Sequence, residues 1–402
     1  MKNYKRRMKT NHRMKLLISG QDSGGYGGAE IFLYQLSKGL KKKGVEVEFV
    51  VVAQSEFDKF LRRRGLKAKS VPFRMDILGW WKGLVKFFFL LPAAFALNYQ
   101  ILREFKNNGG ELVIIPGFSD KLILTPLASL LGLSVVWIEL PPLKTLFKRN
   151  FYLPKILYRL VSGLPAKVVP CSENTKKSLI EDARIDRAKI KVIPCGIEIL
   201  PPKKIALIRK RRKKIRERLG IDKKFVVGMV SRIDEKEKGH DTLLRAAALL
   251  KNKHQDLFFL LVGGGNKRGV LSLIDELGLE KEVKLLGFRK DIFEIISAFD
   301  VFVFPTRWHL EGFGLVPLEA MMMKVPVVAS NFGPVPEVVG NAAYLVKPIP
   351  KEVADGIEKI MEDKELARKL IIKGQRRARR FEIGKMAEIW INEIRGLERR
   401  SG

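Results

Sequence analysis

Short apolar runs alternate with longer amphipathic segments along this chain. Most of the runs are β-branched and apolar throughout, which is typical of parallel strands covered on both faces. They predict strands at 15–20, 45–53, 111–117, 134–140, 167–172, 189–196, 224–232, 257–265, 282–288, 300–306 and 325–330. Segments such as 29–44 and 239–253 predict helices between them. Strand–helix alternation with short loops indicates a doubly wound α/β fold.

The alternation occurs twice, on either side of residues 201–220. That segment opens with two prolines and then carries ten basic residues against one acid, which predicts a domain boundary with a helical linker. The predicted organisation is a basic arm (1–14), a Rossmann-like domain (15–200), the basic linker (201–220), a second Rossmann-like domain (221–375) and a C-terminal helix (376–402) able to cross back to the first domain. Ligands of such sheets bind outside the carboxyl ends of the strands, so we expect a site in a cleft between the domains.

Composition adds a strong electrostatic field. The chain of 402 residues has a net charge of +33, which favours anionic partners: nucleic acid, an anionic membrane surface or phosphorylated small molecules. Its two cysteines, Cys171 and Cys195, match no disulfide framework or metal spacing and are expected to be buried thiols in a reducing, cytoplasmic setting.

The most apolar stretch is 84–97. It contains Lys86 and Pro92 and falls short of the roughly 18–20 apolar residues that a spanning helix needs, so we expect no span. The wider segment 75–102, with Trp80 and Trp81, is either a helix packed under the sheet or an interfacial helix resting on lipid. Together with the basic arm and the linker, the interfacial-helix hypothesis predicts peripheral association with an anionic cytoplasmic leaflet.

Several loops after predicted strands carry residue types that can bind phosphate. The glycine loop 19–30, with Gly27 and Gly28, opens a helix and is either a phosphate or acceptor loop or merely flexible, since it lacks the spacing of a dinucleotide or P-loop motif. In 231–244, Arg232 and Lys238 either converge on a diphosphate or are solvated loop charges. At 262–265, the glycines around Gly264 indicate a close backbone approach or a tight turn.

The stretch EGFGLVPLE, 311–319, carries two acids eight residues apart. Glu319 is predicted about one turn inside a helix that begins near Leu315, where a carboxylate can accept two hydrogen bonds from a vicinal diol. Glu311 precedes the turn and can face a sugar. The alternative is that both acids are charged ends of a buried turn and helix. The loop 329–340 follows a predicted strand and either enters a short helix around Glu337 or is simply a Pro-Gly turn.

Taken together, these stretches resemble the retaining, family-4 type of glycosyltransferase, which has the GT-B fold of two Rossmann-like domains facing a cleft. The resemblance covers nearly the whole chain and is strongest over 225–346, where Glu311 and Glu319 match the E-x7-E signature. It implies a nucleotide-sugar donor (a UDP-, GDP- or ADP-sugar), no required cofactor and no metal.

The resemblance also implies roles for individual residues. Arg232 and Lys238 would hold the diphosphate, Glu319 the ribose, and Glu311 the sugar and the charge at its anomeric carbon. The remaining donor contacts would be Gly264, Phe288 and Arg289 near the base, the backbone of Gly312, Phe313, Gly314 and Leu315, and Gly27 and Gly28 toward the donor phosphate or the acceptor. The acids would then not be the acid/base pair of a glycosidase.

The chain departs from the family pattern at two places. One extra residue separates Arg232 from Lys238, so Lys236 is able to share the role of Lys238. Glu139 stands where many relatives have a histidine facing the acceptor. It is expected to receive an acceptor proton, to bind the acceptor, or simply to cap a helix or loop.

The expected acceptor is a saccharide or a lipid-linked precursor, in the synthesis of a glycan, polysaccharide or glycolipid. A basic nucleic-acid-binding protein is a competing class that the net charge supports, although the sequence has no recognised nucleic-acid motif. A GT-B sugar-nucleotide epimerase or phosphorylase is a further alternative.

Overall fold

The computed structural model describes residues 14–21, 27–78, 81–148, 152–233, 237–307 and 311–398. The predicted basic arm lies outside these residues except for Met14. The chain forms two compact units: the first holds the residues up to Gly196 and those from Ile383 onward, and the second holds Ile197–Glu382. The elements in chain order are as follows: β1 (Lys15–Gly20), α1 (Gly28–Lys42), β2 (Glu46–Val52), α2 (Glu56–Arg62), β3 (Ala68–Val71), α3 (Trp81–Asn107), β4 (Leu112–Ile115), α4 (Phe118–Leu130), β5 (Ser134–Glu139), α5 (Lys144–Phe147), α6 (Leu153–Val161), β6 (Lys167–Pro170), α7 (Glu173–Glu181), α8 (Pro202–Lys210), α9 (Arg212–Leu219), β7 (Phe225–Val230), α10 (His240–Leu250), β8 (Leu257–Val262), α11 (Arg268–Glu276), β9 (Val283–Gly287), α12 (Ile292–Ser297), β10 (Val301–Phe304), α13 (Val316–Met322), β11 (Val327–Ser330), α14 (Val335–Val339), β12 (Tyr344–Val346), α15 (Pro350–Glu362), α16 (Lys364–Arg380) and α17 (Ile383–Glu398).

Each unit is built on a six-stranded parallel sheet. The strand orders are β3-β2-β1-β4-β5-β6 and β12-β11-β10-β7-β8-β9, which are the same doubly wound pattern read from opposite ends. Strands such as β1, β4, β10 and β11 are buried along nearly their whole length, because helices cover both faces of each sheet. The predicted pair of Rossmann-like domains is confirmed.

The first sheet has different helices on its two faces. The connections from β3 through β6 all advance in one direction across the sheet, so right-handed crossovers put α3, α4 and α6 on the same face. Helices α1 and α2 connect strands that advance the other way and lie on the opposite face, where α17 packs against α1. Trp390 of α17 is buried.

Three local predictions differ from the structure. Residues 189–196 form no strand; Lys191 and Ile193 donate to carbonyls of β6, but Pro194 has no N–H with which to continue a ladder. The short strands β3 and β12 were not predicted, because four and three residues carry too little periodicity.

The third difference concerns the length of α3. The sequence analysis expects no membrane-spanning helix because the apolar stretch 84–97 is short, but the helix itself is 27 residues long. Its part Val85–Asn107 has the length and hydropathy of a membrane-spanning helix, and 22% of its most apolar window is buried in the protein. One stripe of α3 nevertheless packs inward, through Phe87, Ala94, Asn98 and Leu102.

The basic linker is helical, as predicted, and two of its arginines are used in packing. Asp300 accepts hydrogen bonds from Arg212 (2.6 Å), from Arg216 (2.9 Å) and from the backbone N–H of Val226 (2.8 Å). The Arg212 guanidinium also donates to the Ser297 carbonyl. These contacts fasten α9 to the edge from which β10 starts, so part of the linker's charge is unavailable to an external anion.

Asp300→Ala should lower the free energy of unfolding by about 2–4 kcal/mol, because two partly buried guanidinium groups and an amide lose their acceptor. Asp256→Ala is the matched control: its side chain is 88% exposed and 4.0 Å from Lys224, so its effect should stay within about 0.5 kcal/mol. Denaturant unfolding of both variants measures the difference. Equal stabilities would contradict the anchoring role of Asp300.

Candidate functional site

In the second unit, the loop after β7 is held against the end of β10. Gly239 has φ +82°, and a Cβ at this position would come 2.2 Å from the Pro305 carbonyl oxygen, so only glycine allows this approach. Thr306 Oγ1 donates to the Glu237 carbonyl nearby. The position of Lys238 is therefore set by backbone contacts on both of its sides.

This arrangement brings together Lys238 and Glu311, two of the predicted site residues. The Lys238 Nζ lies 2.6 Å from Glu311 Oε2, and the two side chains are 12% and 11% exposed. Burial lowers the pKa of Lys238, and the Glu311 carboxylate partly opposes this effect. The charges neutralise each other in the free protein.

Arg232 lies on the same loop and has its own carboxylate partner. Its Nη2 is 2.7 Å from Glu237 Oε2, and both side chains are about half exposed. Lys236, considered a substitute for Lys238, lies outside the described residues. The loop thus presents Arg232 and Lys238, each neutralised by an acid that a more highly charged anion can displace.

The glycines that end β8 have a structural explanation. Gly263 has φ +152°, and a Cβ there would come 1.7 Å from the Ser231 carbonyl oxygen. The next residue, Gly264, accepts a 2.7 Å hydrogen bond from the Ile233 N–H. The close approach left open by the sequence is therefore to the chain's own backbone, which fixes the start of the loop that carries Arg232.

Phe288 and Arg289 follow β9 directly. The Phe288 ring is 61% exposed, and its Cβ lies 3.7 Å from the position of a Cβ at Gly264. Arg289 makes two hydrogen bonds to Asp291, of 2.8 and 2.6 Å. An exposed aromatic ring beside bare backbone can stack on a planar base, whereas the Arg289 charge already has a partner.

Glu319 lies in α13, which begins directly after Leu315 as predicted. The turn before it includes Gly314, at φ +89° and with its Cβ position 3.2 Å from the Phe304 ring, and Phe313, which packs edge-on against Phe381 at 5.4 Å. Burial raises the pKa of Glu319 to about 7. The two acids of EGFGLVPLE thus differ: Glu311 is ion-paired, and Glu319 is poised to titrate near neutrality.

In the first unit, Gly27 and Gly28 lie at the start of α1. The Gly27 N–H donates to Glu30 Oε2 at 2.8 Å, and a Cβ at Gly28 would meet nothing within 4 Å. The rest of the glycine loop, 22–26, is outside the described residues. A carboxylate at this helix start disfavours a phosphate at the Gly27 N–H and favours a hydroxyl-bearing ligand.

Glu139 ends β5 and is 2% exposed. Its Oε1 lies 2.7 Å from the Lys121 Nζ and accepts a 2.7 Å hydrogen bond from the Tyr158 hydroxyl. Lys121 also donates to the carbonyls of Pro116 and Ile138, both at 3.0 Å. Burial, and then the nearby Glu139 charge, raises the pKa of Tyr158. A carboxylate held this way is not open to an acceptor hydroxyl, and it caps no helix or loop.

Sequence reasoning missed Lys121 and Tyr158, along with two buried polar pairs in the same unit. Ser19 donates to Asp120, and Gln21 donates to Asn98 at 2.7 Å. A usable signal was present in α4, where Asp120 and Lys121 stand at positions that the helix pattern buries. Charges in a buried helix turn predict partners elsewhere in the fold.

Within the described residues, one group of potential metal ligands converges: His254, Glu358 and Glu362. The His254 ring lies 2.8 Å from Glu358, and Lys253 is 3.5 Å from the same carboxylate. A lysine at this distance competes with a cation, and none of these residues belongs to the predicted site.

Glu139→Ala should destabilise the protein by about 3–5 kcal/mol, because it leaves the Lys121 ammonium buried without its counter-charge. The pair Lys121→Met with Glu139→Leu should recover most of this loss. Glu181→Ala, which removes an acid 60% exposed, should cost less than about 1 kcal/mol. Denaturant unfolding tests all three, and a Glu139→Ala protein as stable as Glu181→Ala would exclude a structural ion pair.

Comparison with known proteins identifies the second unit most clearly. Residues 211–377 match the family model described as "Glycosyl transferases group 1", and this range contains Arg232, Lys238, Glu311 and Glu319. An alpha-D-kanosaminyltransferase of Streptomyces kanamyceticus is 35% identical over 166 residues, covering 40% of this chain and 42% of that protein.

Two other similarities extend over most of the chain. A Campylobacter jejuni N,N'-diacetylbacillosaminyl-diphospho-undecaprenol alpha-1,3-N-acetylgalactosaminyltransferase is 27% identical over 349 residues, which is 85% of this chain and 89% of that protein. The crystal structure of Anabaena HepE in complex with UDP and glucose superposes with a TM-score of 0.78 at 24% identity, covering 96% of this chain and 100% of HepE. The similarity to HepE is evidence for the fold alone.

Proposed function

We propose that the chain transfers a sugar, with retention, from a nucleotide-sugar donor to a hydroxyl of a saccharide or lipid-linked acceptor, because residues 211–377 match the group 1 glycosyltransferase model and the chain has the GT-B fold. The observation that carries the proposal is the convergence of Lys238 and Glu311 at one end of the second sheet, with Glu319 in the helix that follows. The name of the Campylobacter relative includes a diphospho-undecaprenol lipid, which supports a lipid-linked acceptor here.

The diphosphate would take over the two cations of the β7 loop. In the free protein Lys238 is paired with Glu311, and Arg232 with Glu237. A diphosphate offers both cations a more negative partner, so its binding would release the Glu311 carboxylate toward the sugar. The same cations then stabilise the charge that develops on the nucleoside diphosphate as it leaves.

The nucleoside would occupy the neighbouring residues. An ionised Glu319 can accept hydrogen bonds from both ribose hydroxyls, and the exposed Phe288 ring can stack on the base beside Gly264 and Arg289. The backbone of Gly312, Phe313, Gly314 and Leu315 would contact the phosphates and sugar hydroxyls. UDP-, GDP- and ADP-sugars are the candidate donors, with UDP-sugars tested first because HepE was crystallised with UDP and glucose.

The chemical step would proceed on one face of the sugar. The acceptor oxygen forms a bond to the anomeric carbon while the bond from that carbon to the diphosphate oxygen breaks. The acceptor proton goes to an oxygen of the departing diphosphate, and Glu311 stabilises the positive charge at the anomeric carbon. This step uses no metal and no glycosidase acid/base pair.

The first unit would supply acceptor contacts. Gly27 and Gly28, beside Glu30, suit a hydroxyl-bearing acceptor. Because Glu139 is enclosed with Lys121 and Tyr158, we assign it to positioning the end of β5 instead of to proton transfer. We further propose a cytoplasmic protein that associates peripherally with a membrane.

The competing functions are not favoured. The named relatives of this chain are sugar transferases, which weighs against an epimerase or phosphorylase and against a dedicated nucleic-acid-binding protein. Part of the basic linker is also occupied, because Arg212 and Arg216 are bound to Asp300.

Substitution of the two signature acids should separate donor binding from turnover. A matching nucleotide sugar at roughly 100 times its Kd should stabilise the protein by about 2.7 kcal/mol in a thermal-shift screen. Glu319→Ala should abolish this shift, because the ribose loses its acceptor. Glu311→Ala should keep a shift while kcat falls by roughly 10²-fold, measured as nucleoside diphosphate released only when acceptor is present.

Glu276→Ala, an acid 63% exposed on α11, is the control and should behave as the parent protein. Unchanged donor affinity in Glu319→Ala would overturn the ribose assignment. Nucleoside diphosphate release without an acceptor, or no release with any sugar nucleotide, would count against transfer.

Donor binding should also depend on pH through Glu319. Its pKa of about 7 lies above that of an unfolded glutamate, so its contribution to the stability of the free protein is present at low pH and lost as pH rises through about 7. Donor affinity should change in the opposite direction to this stability: it should rise about tenfold between about pH 6 and pH 8 as the Glu319 carboxylate ionises.

Thermal shifts with and without nucleotide sugar at each pH measure both trends, since the diphosphate of a sugar nucleotide does not titrate in this range. Glu319→Gln should remove both dependences. A pH profile that persists in Glu319→Gln would assign the titration to another group.

A further inference from the structure

Helices α3, α4 and α6 lie in the outer layer on one face of the first sheet. Helix α4 contacts α3 on one side and α6 on the other. The inward stripe of α3 is buried and includes Asn98, which accepts a hydrogen bond from Gln21, and Phe105. The folded unit therefore needs this stripe in place, and α3 cannot leave the layer to cross a membrane without exposing it.

The outward surface of the same layer is apolar. Phe89 is 83% exposed and Leu160 is 73% exposed. The other large exposed apolar side chains of the layer are Val85, Phe88, Leu130, Tyr152, Ile156 and Leu164. Between 85 and 93, α3 buries Phe87 alone of the described side chains, so folding covers little of the first half of this helix. A monomeric water-soluble protein seldom leaves so many large apolar side chains exposed in one layer of helices.

The segments that form the exposed first half of α3 and all of α6 carry basic but no acidic residues, whereas Glu104, near the end of α3, is paired with Lys69 at 2.7 Å. Residues 77–103 and 140–172 contain no Asp or Glu, although these acids make up 43 of the 402 residues of the chain. Lys86 of α3 is exposed next in sequence to Val85, and Lys144 and Lys148, in the segment that leads to α6, are exposed as well. Apolar side chains bordered by lysines complement an anionic, partly apolar occupant. A second copy of this chain is a poor occupant because it would bring the same positive charge.

We propose that the α3–α6 face, meaning the outward surface of α3, α4 and α6, docks in the headgroup region of an anionic lipid bilayer. The apolar side chains enter the boundary of the acyl chains, and the lysines contact lipid phosphates. Helix α3 lies along the membrane, since its inner stripe remains packed on the sheet.

This docking would place a lipid-linked acceptor near the carboxyl edge of the first sheet. Helix α3 connects the end of β3 to the start of β4, so its exposed first half begins on the side of the carboxyl edge of the sheet, where ligands of this fold class bind. That consequence rests on the proposed function, whereas the docking itself does not require any turnover.

Vesicle flotation of the full-length protein, with no donor or acceptor, tests the proposal. The vesicles are phosphatidylcholine alone or an equal mixture of phosphatidylglycerol and phosphatidylcholine. The parent protein should bind the mixed vesicles and bind phosphatidylcholine at least tenfold more weakly. Phe88→Ser with Phe89→Ser should weaken binding at least tenfold without changing the net charge, and so should Ile156→Ser with Leu160→Ser. Lys86→Gln should weaken it by about fivefold.

Leu249→Ser with Leu271→Ser is the matched control. Both leucines are 51% exposed on helices of the second unit, and this variant should bind as the parent does. If the two serine variants of the α3–α6 face also bind as the parent does, the net charge alone holds the protein to the vesicles and the proposal is wrong. Absence of binding to the mixed vesicles would also overturn it.

Two further measurements complete the test. Each variant should keep the parent's unfolding midpoint and sedimentation coefficient; a parent dimer that the Phe88→Ser, Phe89→Ser variant dissociates would show that a second copy covers this face instead. The donor-induced thermal shift is scored separately, so docking can fail while the proposed transfer stands, and the reverse.

Discussion

The close approach of Gly239 to the Pro305 carbonyl is the constraint on which the candidate donor site depends. A side chain at this position would push the loop after β7 away from the end of β10. Lys238, one residue earlier, would then lose its contact with Glu311, which arrives from the loop after β10. The site is thus produced by backbone packing between two neighbouring parallel strands, and its charged groups follow from that packing.

The two units use buried ion pairs in different ways. Lys238 and Glu311 retain some exposure, and under the proposed function each gains an alternative partner when a donor binds, so their pairing suits an exchange. Lys121 and Glu139 are enclosed, and the lysine also donates to two carbonyls. Exchange there would leave charges unsatisfied in a low dielectric, which is why this second pair acts as a fixed part of the fold.

The basic residues serve different purposes in different parts of the chain. The arginines of the linker that pair with Asp300 fasten α9 to the start of β10, whereas Lys86 of α3 lies close in sequence to the exposed Phe88 and Phe89. A net charge of +33 therefore does not describe a uniform polycation. It combines structural, surface and proposed ligand-binding roles that only the positions of the side chains distinguish.

The sequence by itself determined the doubly wound fold, most strands and the helix start after Leu315, because these features follow from local periodicity, glycine placement and residue spacing. Strands β3 and β12 could not be predicted from the sequence, because three or four residues carry too weak a pattern. Only the tertiary structure decided that Gly263 meets the chain's own backbone, that Glu139 is enclosed by Lys121 and Tyr158, and that the outer surface of α3 stays uncovered. Each of these depends on partners distant in sequence, and local pattern carries no information about which distant groups packing will bring into contact.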